Sequence, residues 1–429
     1  MRRRNALHAG LLGSLAAFVL AASALAGVAR AQSGRTLPPP TTAPSPVREP
    51  ATKFVAAPDE DKYRLVYTSG WDGPLRPDGD EAERVRHSRM NNFVARLNEA
   101  GERGYRLLSV VNGWMPVAVV ELDEAQHEYG WFETAVVARP GADVLRVYTR
   151  FFNMYRKQAA GGFRLAGHFV TRRECALFST GFFRVDERCI YKDLYLLERR
   201  KGDARPRQTR LEVIDPDVRA VRLGDELTAR VRGGLAEGLS PAYVFSRFAV
   251  LLEETWAAGD PAAGAADFRV VTQTNSDRDF ERAVNELARQ GYRMQLNNNA
   301  VAVMRRAAAD TTPAEYLWLD AMDKNFARRL AEAQGVGAVY RMTAPDGERE
   351  ETRLVFERPL DGGGRRRDYR VFRVDLQFAE NAAERKVSVG VSPQTRAAVA
   401  DIGRLLKEGY VVRDLFWADA PHILLERAP

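Results

Sequence analysis

The residues that could ligate a metal ion are few and widely spaced in this sequence. The chain of 429 residues has two cysteines and five histidines, and no HxxxH, HExxH or Cys/His cluster places two ligands on one face of a helix. The histidines are His8, His87, His127, His168 and His422. Isolated histidines are more often surface or core residues than ligands. We therefore expect no metal site and no cofactor.

Motifs for nucleophilic or phosphate chemistry do not occur either. The sequence contains no GxSxG, SxxK or GxxxxGK[ST] pattern. The stretch "DGGGRRRDYR" (361–370) could bind an anion, but its position favours a hairpin loop. The acid pair Glu253-Glu254 ends a predicted strand, in a place where other segments also carry charges. This periodic placement indicates a solvated structural role and not a general acid and base pair.

Cys175 and Cys189 lie in "ECALFSTGFFRVDERC", where two apolar runs flank a glycine. This pattern is typical of a β-hairpin, which would bring the two sulfur atoms together. In an oxidising compartment we expect a disulfide between them, and the alternative is a pair of buried thiols.

The first 31 residues have the organisation of an export signal. A basic segment precedes the apolar "LLGSLAAFVLAASALAGVA", and Ala29-Arg30-Ala31 offers small residues for cleavage before Gln32. The alternative is an uncleaved membrane anchor, because the apolar run has nearly the length that spans a bilayer. Arg2, Arg3 and Arg4 also leave a twin-arginine route open. We expect an exported protein, periplasmic or extracellular, with no membrane span after cleavage.

The charge of the chain does not indicate a nucleic-acid partner. The formal net charge is +7, and removal of four arginines with the signal (Arg2, Arg3, Arg4, Arg30) leaves +3. Nucleic-acid binding would require a concentrated basic face with stacking aromatics, and only short basic runs occur. The composition, 45% hydrophobic and 28% charged, is that of a globular protein.

Six copies of one pattern follow a linker rich in proline. The pattern is a strand, a helix, a glycine with an apolar residue after it, a second strand and a closing strand ending in charges, as in "VVEL", "LLER" and "VFER". It predicts an α+β fold of tandem βαββ units, with helices on one face of antiparallel sheets. One unit has a marginal core, so we expect neighbouring units to pair, in three pairs. The predicted segments are 1–31 (signal peptide), 32–60 (linker), 61–123, 124–200 (with the cysteine insertion), 207–256, 266–307, 313–359 and 367–429.

The recurring glycine has a specific physical explanation. A helix commonly ends with a residue in the left-handed conformation, where a Cβ is penalised and glycine is not. The predicted helix stops are Gly104, Gly162, Gly238, Gly291, Gly335 and Gly409. The next residue should pack on the last helical turn, as Tyr292 on Leu287 and Tyr410 on Leu405.

Three of these units resemble a small bacterial domain family of unknown function. In that family a helix leads into Gly-Trp or Gly-Tyr, and the last strand ends in a basic residue. Gly104-Tyr105, Gly291-Tyr292 and Gly409-Tyr410 carry the likeness, with Leu425-Glu426-Arg427 at the closing strand. Phe163, Leu239 and Val336 depart from it. The resemblance implies the fold of the unit and no chemistry.

Three tryptophans are candidates for an aromatic contact patch. Trp71 and Trp114 each follow a glycine in a predicted turn, and Trp131 lies nearby in the sequence. For at least one of them, packing in the core is the interpretation that we favour.

Together these features favour a protein without enzymatic activity. Duplicated units create grooves between modules, and no unit carries a catalytic set of its own. We expect a binding or scaffold protein of the periplasm or cell envelope, whose partner is an envelope protein or a small ligand. The alternatives are an exported hydrolase with a site assembled from several units, and a structural or surface-adhesion protein. The sequence does not define the oligomeric state.

Overall fold

Six βαββ units follow one another in the computed structural model of this protein. It describes residues 62–76, 79–112, 115–123, 125–138, 144–179, 185–214, 220–246, 248–254, 267–273, 276–307, 312–345, 352–362 and 364–428, without the side chains of 79, 80, 112, 138, 144, 170–191, 220, 221 and 345. The predicted signal peptide (1–31), the linker (32–60) and Trp114 lie outside these residues. All the residues described belong to one compact unit, Thr52–Pro429.

Each unit contributes a first strand, a helix, a second strand and a closing strand. The first strands are β1 (Tyr63–Tyr67), β5 (His127–Ala138), β8 (Thr209–Val213), β11 (Asp267–Thr272), β14 (Ala314–Asp320) and β17 (Asp368–Arg373). The helices are α1 (Gly79–Glu102), α2 (Val144–Ala159), α3 (Ala220–Ala236), α4 (Asp277–Arg289), α5 (Phe326–Gly335) and α6 (Pro393–Lys407). The second strands are β3 (Tyr105–Asn112), β6 (Arg164–Ser179), β9 (Leu239–Ser246), β12 (Arg293–Asn297), β15 (Val339–Pro345) and β20 (Val411–Trp417). The closing strands are β4 (Pro116–Leu122), β7 (Val185–Arg200), β10 (Ala249–Glu254), β13 (Val301–Arg306), β16 (Thr352–Pro359) and β21 (Pro421–Arg427).

The closing strand is the centre of every three-stranded sheet. It pairs antiparallel with the first strand on one side and with the second strand on the other, as in the order β1-β4-β3. The same order repeats in all six units described, which confirms the predicted α+β fold of tandem βαββ units. The central position buries the closing strand on both sides, and this explains its unbroken apolar run.

Each unit shares a hydrophobic core with the unit before it and the unit after it. Phe93 and Leu97 of α1, for example, pack with Phe169 and Leu194 of the second unit. The same sharing joins units two to six in order, and Ile402 of the sixth unit packs with Leu65 of the first. The expected pairing of neighbours is therefore present, and it continues around a closed ring of six units instead of stopping at three pairs.

A small accessory sheet lies where the first and sixth units meet. Its strands are β2 (Gly70–Asp72) of the first unit and β18 (Leu376–Asn381) and β19 (Lys386–Val391) of the sixth. Lys386 pairs with Asp72 in the antiparallel register of β2 and β19. The Ser109 hydroxyl also donates to the carbonyl of Leu415 at 3.1 Å. Strand pairing and hydrogen bonds thus add to the apolar core that closes the ring.

The helices end as the glycine pattern requires. Gly291 has a φ of 85°, and the N–H of Tyr292 donates to the carbonyl of Leu287 at 3.1 Å. Tyr410 makes the same bond to Leu405 at 3.1 Å. Positive φ angles also occur at Gly104, Gly162, Gly238 and Gly409.

In the fifth unit the predicted helix stop, Gly335, is wrong. Gly335 is the last residue of α5, while Gly337 has a φ of 66° and Ala338 donates to the carbonyl of Ala333 at 3.0 Å. A β-bulge gives independent support, because one extra residue occurs four positions after the left-handed glycine in every unit. Counting back from the bulge at Arg341 leads to Gly337. Gly335 was the wrong choice in the sequence "QGVGA" because Ala338, and not the exposed Val336, enters the core.

The two cysteines lie on β6 and β7, which extend far beyond the other strands of their kind. Both have 16 residues, and their antiparallel register pairs Cys175 directly with Cys189. The side chains of both cysteines lie outside the part of the chain described, so the disulfide remains a prediction.

Candidate functional site

Glutamates near the ends of the closing strands are buried at the junctions between units. Glu198, Glu253, Glu357 and Glu426 are each less than a tenth exposed. The predicted solvated role of Glu253 is therefore wrong: burial raises the pKa of Glu253, whose side chain accepts a hydrogen bond from the Tyr155 hydroxyl of the preceding unit.

Glu198 illustrates how these carboxylates are satisfied. Its Oε1 accepts from the Tyr129 hydroxyl at 3.0 Å and from the N–H of Leu107, in the first unit, at 3.1 Å. Arg164 donates to Oε2 through Nε at 3.1 Å. Glu357 repeats the arrangement, with the Tyr316 hydroxyl at 2.9 Å. These bonds occupy the carboxylate oxygens. The bond from Leu107 to Glu198 and the bond from Tyr155 to Glu253 cross between adjacent units, so these two glutamates stabilise the junctions of the ring.

The Gly-aromatic pattern also has a structural explanation. The guanidinium of Arg427 lies 4.9 Å from the ring centroid of Tyr410, and Arg306 lies 4.9 Å from that of Tyr292. In the second unit Arg199 covers Phe163 at 4.4 Å. The basic residue at the end of the closing strand thus covers the aromatic residue after the helix-stop glycine. This contact gives both recurring residues of the unit a role in packing.

The structure describes two of the three candidate tryptophans, Trp71 and Trp131, and Trp71 is not exposed. Trp71 is 5% exposed, its Nε1 donates to the carbonyl of Pro74 at 3.2 Å, and Arg89 covers its ring at 4.0 Å. Trp131 is half-buried and donates to Asn91 at 2.9 Å. Trp114 lies outside the described residues. Trp71 is a core residue because the accessory sheet covers it. This agrees with the expectation that at least one tryptophan packs in the core, and it removes Trp71 as a candidate contact residue.

Glu83, His87 and Glu133 form a group whose ligand atoms lie within 4.8 Å of one another. His87 Nε2 is 3.3 Å from Glu133 Oε2. Both carboxylates already have a cationic partner, since Lys192 lies 2.7 Å from Glu83 and Arg86 lies 2.7 Å from Glu133. A divalent ion would have to compete with these two charges. The group is therefore best described as an ion-pair network between α1 and the second unit.

A second histidine lies inside the junction of the second and third units. The ring of His168 stacks on Tyr195 at 4.7 Å, and its Nε2 is 3.5 Å from Asp193 Oδ2. The edges of Tyr243 and Phe245 approach the same ring at 6.0 and 5.5 Å. Aromatic side chains therefore fill the space around this acid and base, where a substrate would have to enter.

An open groove lies at the junction of the fifth and sixth units, which we call the 5–6 groove. Its volume is about 500 Å³. Phe326 and Leu330 of α5 line one side, and Val371 of β17 and Phe416 of β20 line the other. The polar residues of its walls are Gln334, Arg370, Arg373 and His422. An apolar floor with a few polar groups is typical of ligand sites.

The groove exists because α5 is short and has small side chains. It has 10 residues, whereas the other helices described have 13 to 24. Ala327 and Ala331 face the groove. In the first and fourth units the position of Ala331, six residues before the left-handed glycine, holds Asn98 and Asn285. Without a long polar or aromatic side chain there, α5 covers less of the edge of the next sheet, and its Gln334 donates to the carbonyl of Tyr369 at 2.8 Å.

His422 and the arginines of the groove have defined partners. His422 Nδ1 is 2.8 Å from the carbonyl of Ala420, and its ring stacks on Phe416 at 5.4 Å. Arg373 donates to Asp375 at 2.6 Å and Arg370 donates to Asp368 at 3.2 Å. These contacts hold the side chains in place, while about half of the surface of each arginine side chain stays exposed. Donor groups of both guanidiniums therefore remain accessible from solvent.

Sequence reasoning missed the residues of this groove. The expectation of grooves between modules did not indicate which junction would stay open, and the aromatic candidates lay in the first two units. The available signal was the short interval between "YLWLD" and "GVGA", with its four alanines. This signal can be interpreted only when Gly337 is taken as the helix stop, because that alignment places Ala331 at the position of Asn98 and Asn285.

No family model, curated protein or solved structure matches this chain. Among the residues that the structure describes, no helix has the length and apolar character needed to cross a bilayer.

Proposed function

We propose that this protein is a binding or scaffold protein of the periplasm or cell envelope, without enzymatic activity, and that it holds its ligand or partner in the 5–6 groove. The observation that supports this most strongly is the groove itself. The junction of the second and third units, by contrast, is closed by aromatic rings. An open junction beside a shortened helix, within a closed ring, has the form of a site and not of a packing defect.

The chemistry of the groove suits an amphipathic occupant. Phe326, Leu330 and Phe416 provide apolar surface, and burial of such surface stabilises a complex by roughly 25 cal/mol per Å². Arg370 and Arg373 offer donors at the rim, so an occupant with acceptor or anionic groups is favoured. The volume is within the range of 300 to 1,000 Å³ that is typical of ligand sites, at about 500 Å³.

Native mass spectrometry of the mature protein, gently isolated from its own cell envelope, tests this proposal. We expect a stoichiometric added mass on the wild-type protein. The variant Ala327→Phe should lose it, because the new ring occupies the groove. The matched control is Ala400→Phe, which places the same side chain on an exposed position of α6. A bare mass for the wild-type protein, or an added mass that survives Ala327→Phe, would count against the groove as the site.

A further inference from the structure

The 5–6 groove runs along the edge strand of the sixth sheet. In the order β17-β21-β20, β17 pairs on one side only. The register pairs Tyr369 with Glu426 and Val371 with Leu424, and the N–H of Val374 donates to Pro421. The main-chain N–H and C=O groups of successive residues alternate in direction along an antiparallel strand. Those of the even-numbered residues of β17 therefore point to β21, whereas those of Tyr369, Val371 and Arg373 point to the groove.

In the second and fifth units the helix of the preceding unit covers the equivalent edge strand, β5 or β14. Asn98 of α1 donates to the carbonyl of Tyr129 at 3.1 Å and accepts from its N–H at 2.7 Å. Asn285 of α4 makes the same two bonds with Tyr316, at 3.2 and 2.6 Å. Tyr129 and Tyr316 have the same register to a closing-strand glutamate as Tyr369. An asparagine thus satisfies both main-chain groups of the edge residue.

The helix of the third unit, α3, covers the edge strand β11 of the fourth unit in a different way. The Thr228 hydroxyl of α3 accepts from the N–H of Val270 at 2.9 Å. A Cβ on Gly224 would lie 2.8 Å from the carbonyl of Val270, so the helix backbone itself lies against the edge. By its register with the closing strand, Val270 of β11 corresponds to Val371 of β17, two residues after the position of Tyr369.

The sixth unit lacks both devices. Ala331 replaces the asparagine and offers no acceptor, and the carbonyl of Tyr369 accepts from Gln334 at 2.8 Å. Among the residues described, no side chain donates to or accepts from the main chain of Val371. The edge of β17 is therefore left open beside an apolar groove. Such an edge can accept another strand through main-chain hydrogen bonds.

The charges beside the groove define which strand would fit. Arg365 and Arg366 lie just before β17 and are exposed, and neither forms an ion pair with another residue of the described chain. Arg370 and Arg373 on β17 add two guanidiniums, but Arg370 is already paired with Asp368, and Arg373 with Asp375 and Asp419. The excess positive charge therefore lies at the beginning of β17. It favours a peptide with acidic side chains.

We infer that the 5–6 groove receives an extended acidic peptide segment, which adds to β17 as a fourth strand. This inference rests on the proposed binding function and names the occupant. Alternate side chains of the peptide face Phe326, Leu330 and Phe416, and they are apolar. The remaining side chains face solvent and are acidic toward Arg365 and Arg366. Main-chain bonds to the N–H of Tyr369, whose carbonyl already accepts from Gln334, and to both main-chain groups of Val371 give the affinity, and the alternating pattern gives the specificity.

The probe is a fluorescent hexapeptide in which glutamate and valine alternate, titrated against the full mature protein. We expect saturable binding that weakens with salt. A peptide with the same side chains but N-methyl groups on alternate residues cannot donate the main-chain bonds, and its affinity should fall at least tenfold. A lysine-valine peptide should also bind at least tenfold more weakly. Binding should slow hydrogen exchange at the amides of Tyr369 and Val371.

A variant of the chain tests the edge directly. Ala331→Asn introduces at this position the asparagine that covers the edges of β5 and β14 in other units. It should reduce peptide affinity at least tenfold. The matched control is Gly403→Asn, at the equivalent position of α6, where an added Cβ meets no atom within 4 Å. It should bind the peptide like the wild-type protein.

Three results would overturn the inference. They are wild-type affinity of Ala331→Asn, equal binding of the N-methylated peptide, and no binding of the glutamate-valine peptide. If the native protein still carries a mass that Ala327→Phe removes, the groove remains a binding site and only the peptide is wrong. If that mass is a small molecule, it names the alternative occupant. If neither probe nor native mass is found, the proposed function fails as well.

Discussion

The junction of the second and third units and the junction of the fifth and sixth units share one backbone plan and differ in what fills it. Counted from the left-handed glycine, Phe151 of α2 and Phe326 of α5 occupy the same position, and so do Phe245 and Phe416 on the following sheets. Phe151 is fully buried among Tyr155, Tyr195 and Phe245, whereas Phe326 lines the groove.

Two differences decide between core and groove. Relative to the glycine, α2 begins seven residues earlier than α5, about two helical turns, and these turns carry Tyr148. At the next position Phe152 of α2 corresponds to Ala327 of α5. The comparison teaches that a repeat can keep its backbone frame while a few side chains and the length of one helix convert a packed junction into an open one.

The largest expected effect is on the aromatic core. Phe151→Ala should lower the free energy of unfolding by about 3 to 5 kcal/mol, because a fully buried ring is replaced by a cavity. Phe326→Ala, at the same position of the open junction, should cost about 1 to 2 kcal/mol, because water already reaches that ring. Urea unfolding measures both. Equal losses would mean that the two junctions do not differ as described.

The second prediction tests the alignment on which the comparison depends. Gly337→Val should destabilise the protein by about 1 to 3 kcal/mol, because its φ is positive and a Cβ would lie 2.7 Å from the backbone of Gly364. Gly335→Ala is the control: its Cβ would meet no atom within 4 Å, and alanine favours a helix by up to about 1 kcal/mol. The reverse order of the two unfolding midpoints would restore Gly335 as the helix stop.

The third prediction concerns the fifth residue after the glycine, which is Tyr243 at the closed junction and Asp414 at the open one. Burial raises the pKa of Asp414, whose carboxylate accepts from the Tyr340 hydroxyl and from the N–H of Leu415 at 2.8 Å. A raised folded-state pKa means that the stability contributed by this group is present below the unfolded pKa, about 4, and is lost as the pH rises through the folded value.

Asp414→Asn should therefore gain stability relative to the wild-type protein as the pH rises from 3 to 7, by an amount on the order of 1 kcal/mol. Thermal unfolding of both proteins across this pH range measures the difference. A difference that stays constant with pH, or that falls, would show that ionisation of Asp414 carries no cost in the folded ring.

The smallest expected effect comes from making the open junction resemble the closed one. Ala327→Phe introduces the side chain that α2 has at Phe152, into a groove of about 500 Å³. Filling a cavity commonly adds about 0.5 to 2 kcal/mol, and we expect the lower end because the groove is open to solvent. Differential scanning calorimetry measures the gain. A clear loss of stability would indicate that the groove is narrower than the lining residues suggest.

The repeat could be predicted from the sequence because its signals are local. A glycine that ends a helix, an aromatic residue after it and a closing apolar run each act within one unit, and the α+β fold of βαββ units followed from them. Gly335 was chosen in place of Gly337 because both glycines fit that local rule, and the distinction lies in which following residue enters the core.

The ring and the groove could not be predicted in the same way. Ring closure depends on contacts between residues that are far apart in the sequence, such as β2 with β19 and Ser109 with Leu415. The burial of the closing-strand glutamates depends on a tyrosine or backbone group supplied by the neighbouring unit. The groove is defined by side chains that are small or absent, and a missing contact leaves no motif.

The closure of the ring has a consequence for its connectivity. Five of the six junctions between the described units are crossed by the chain itself, whereas the first and sixth units are joined without a peptide bond. β1 and β21 start and end the described ring in these two adjacent units. Circular permutation, in which a linker joins the two ends and the chain is opened between the third and fourth units, would move the non-covalent junction to a new place while keeping the side-chain contacts of the ring.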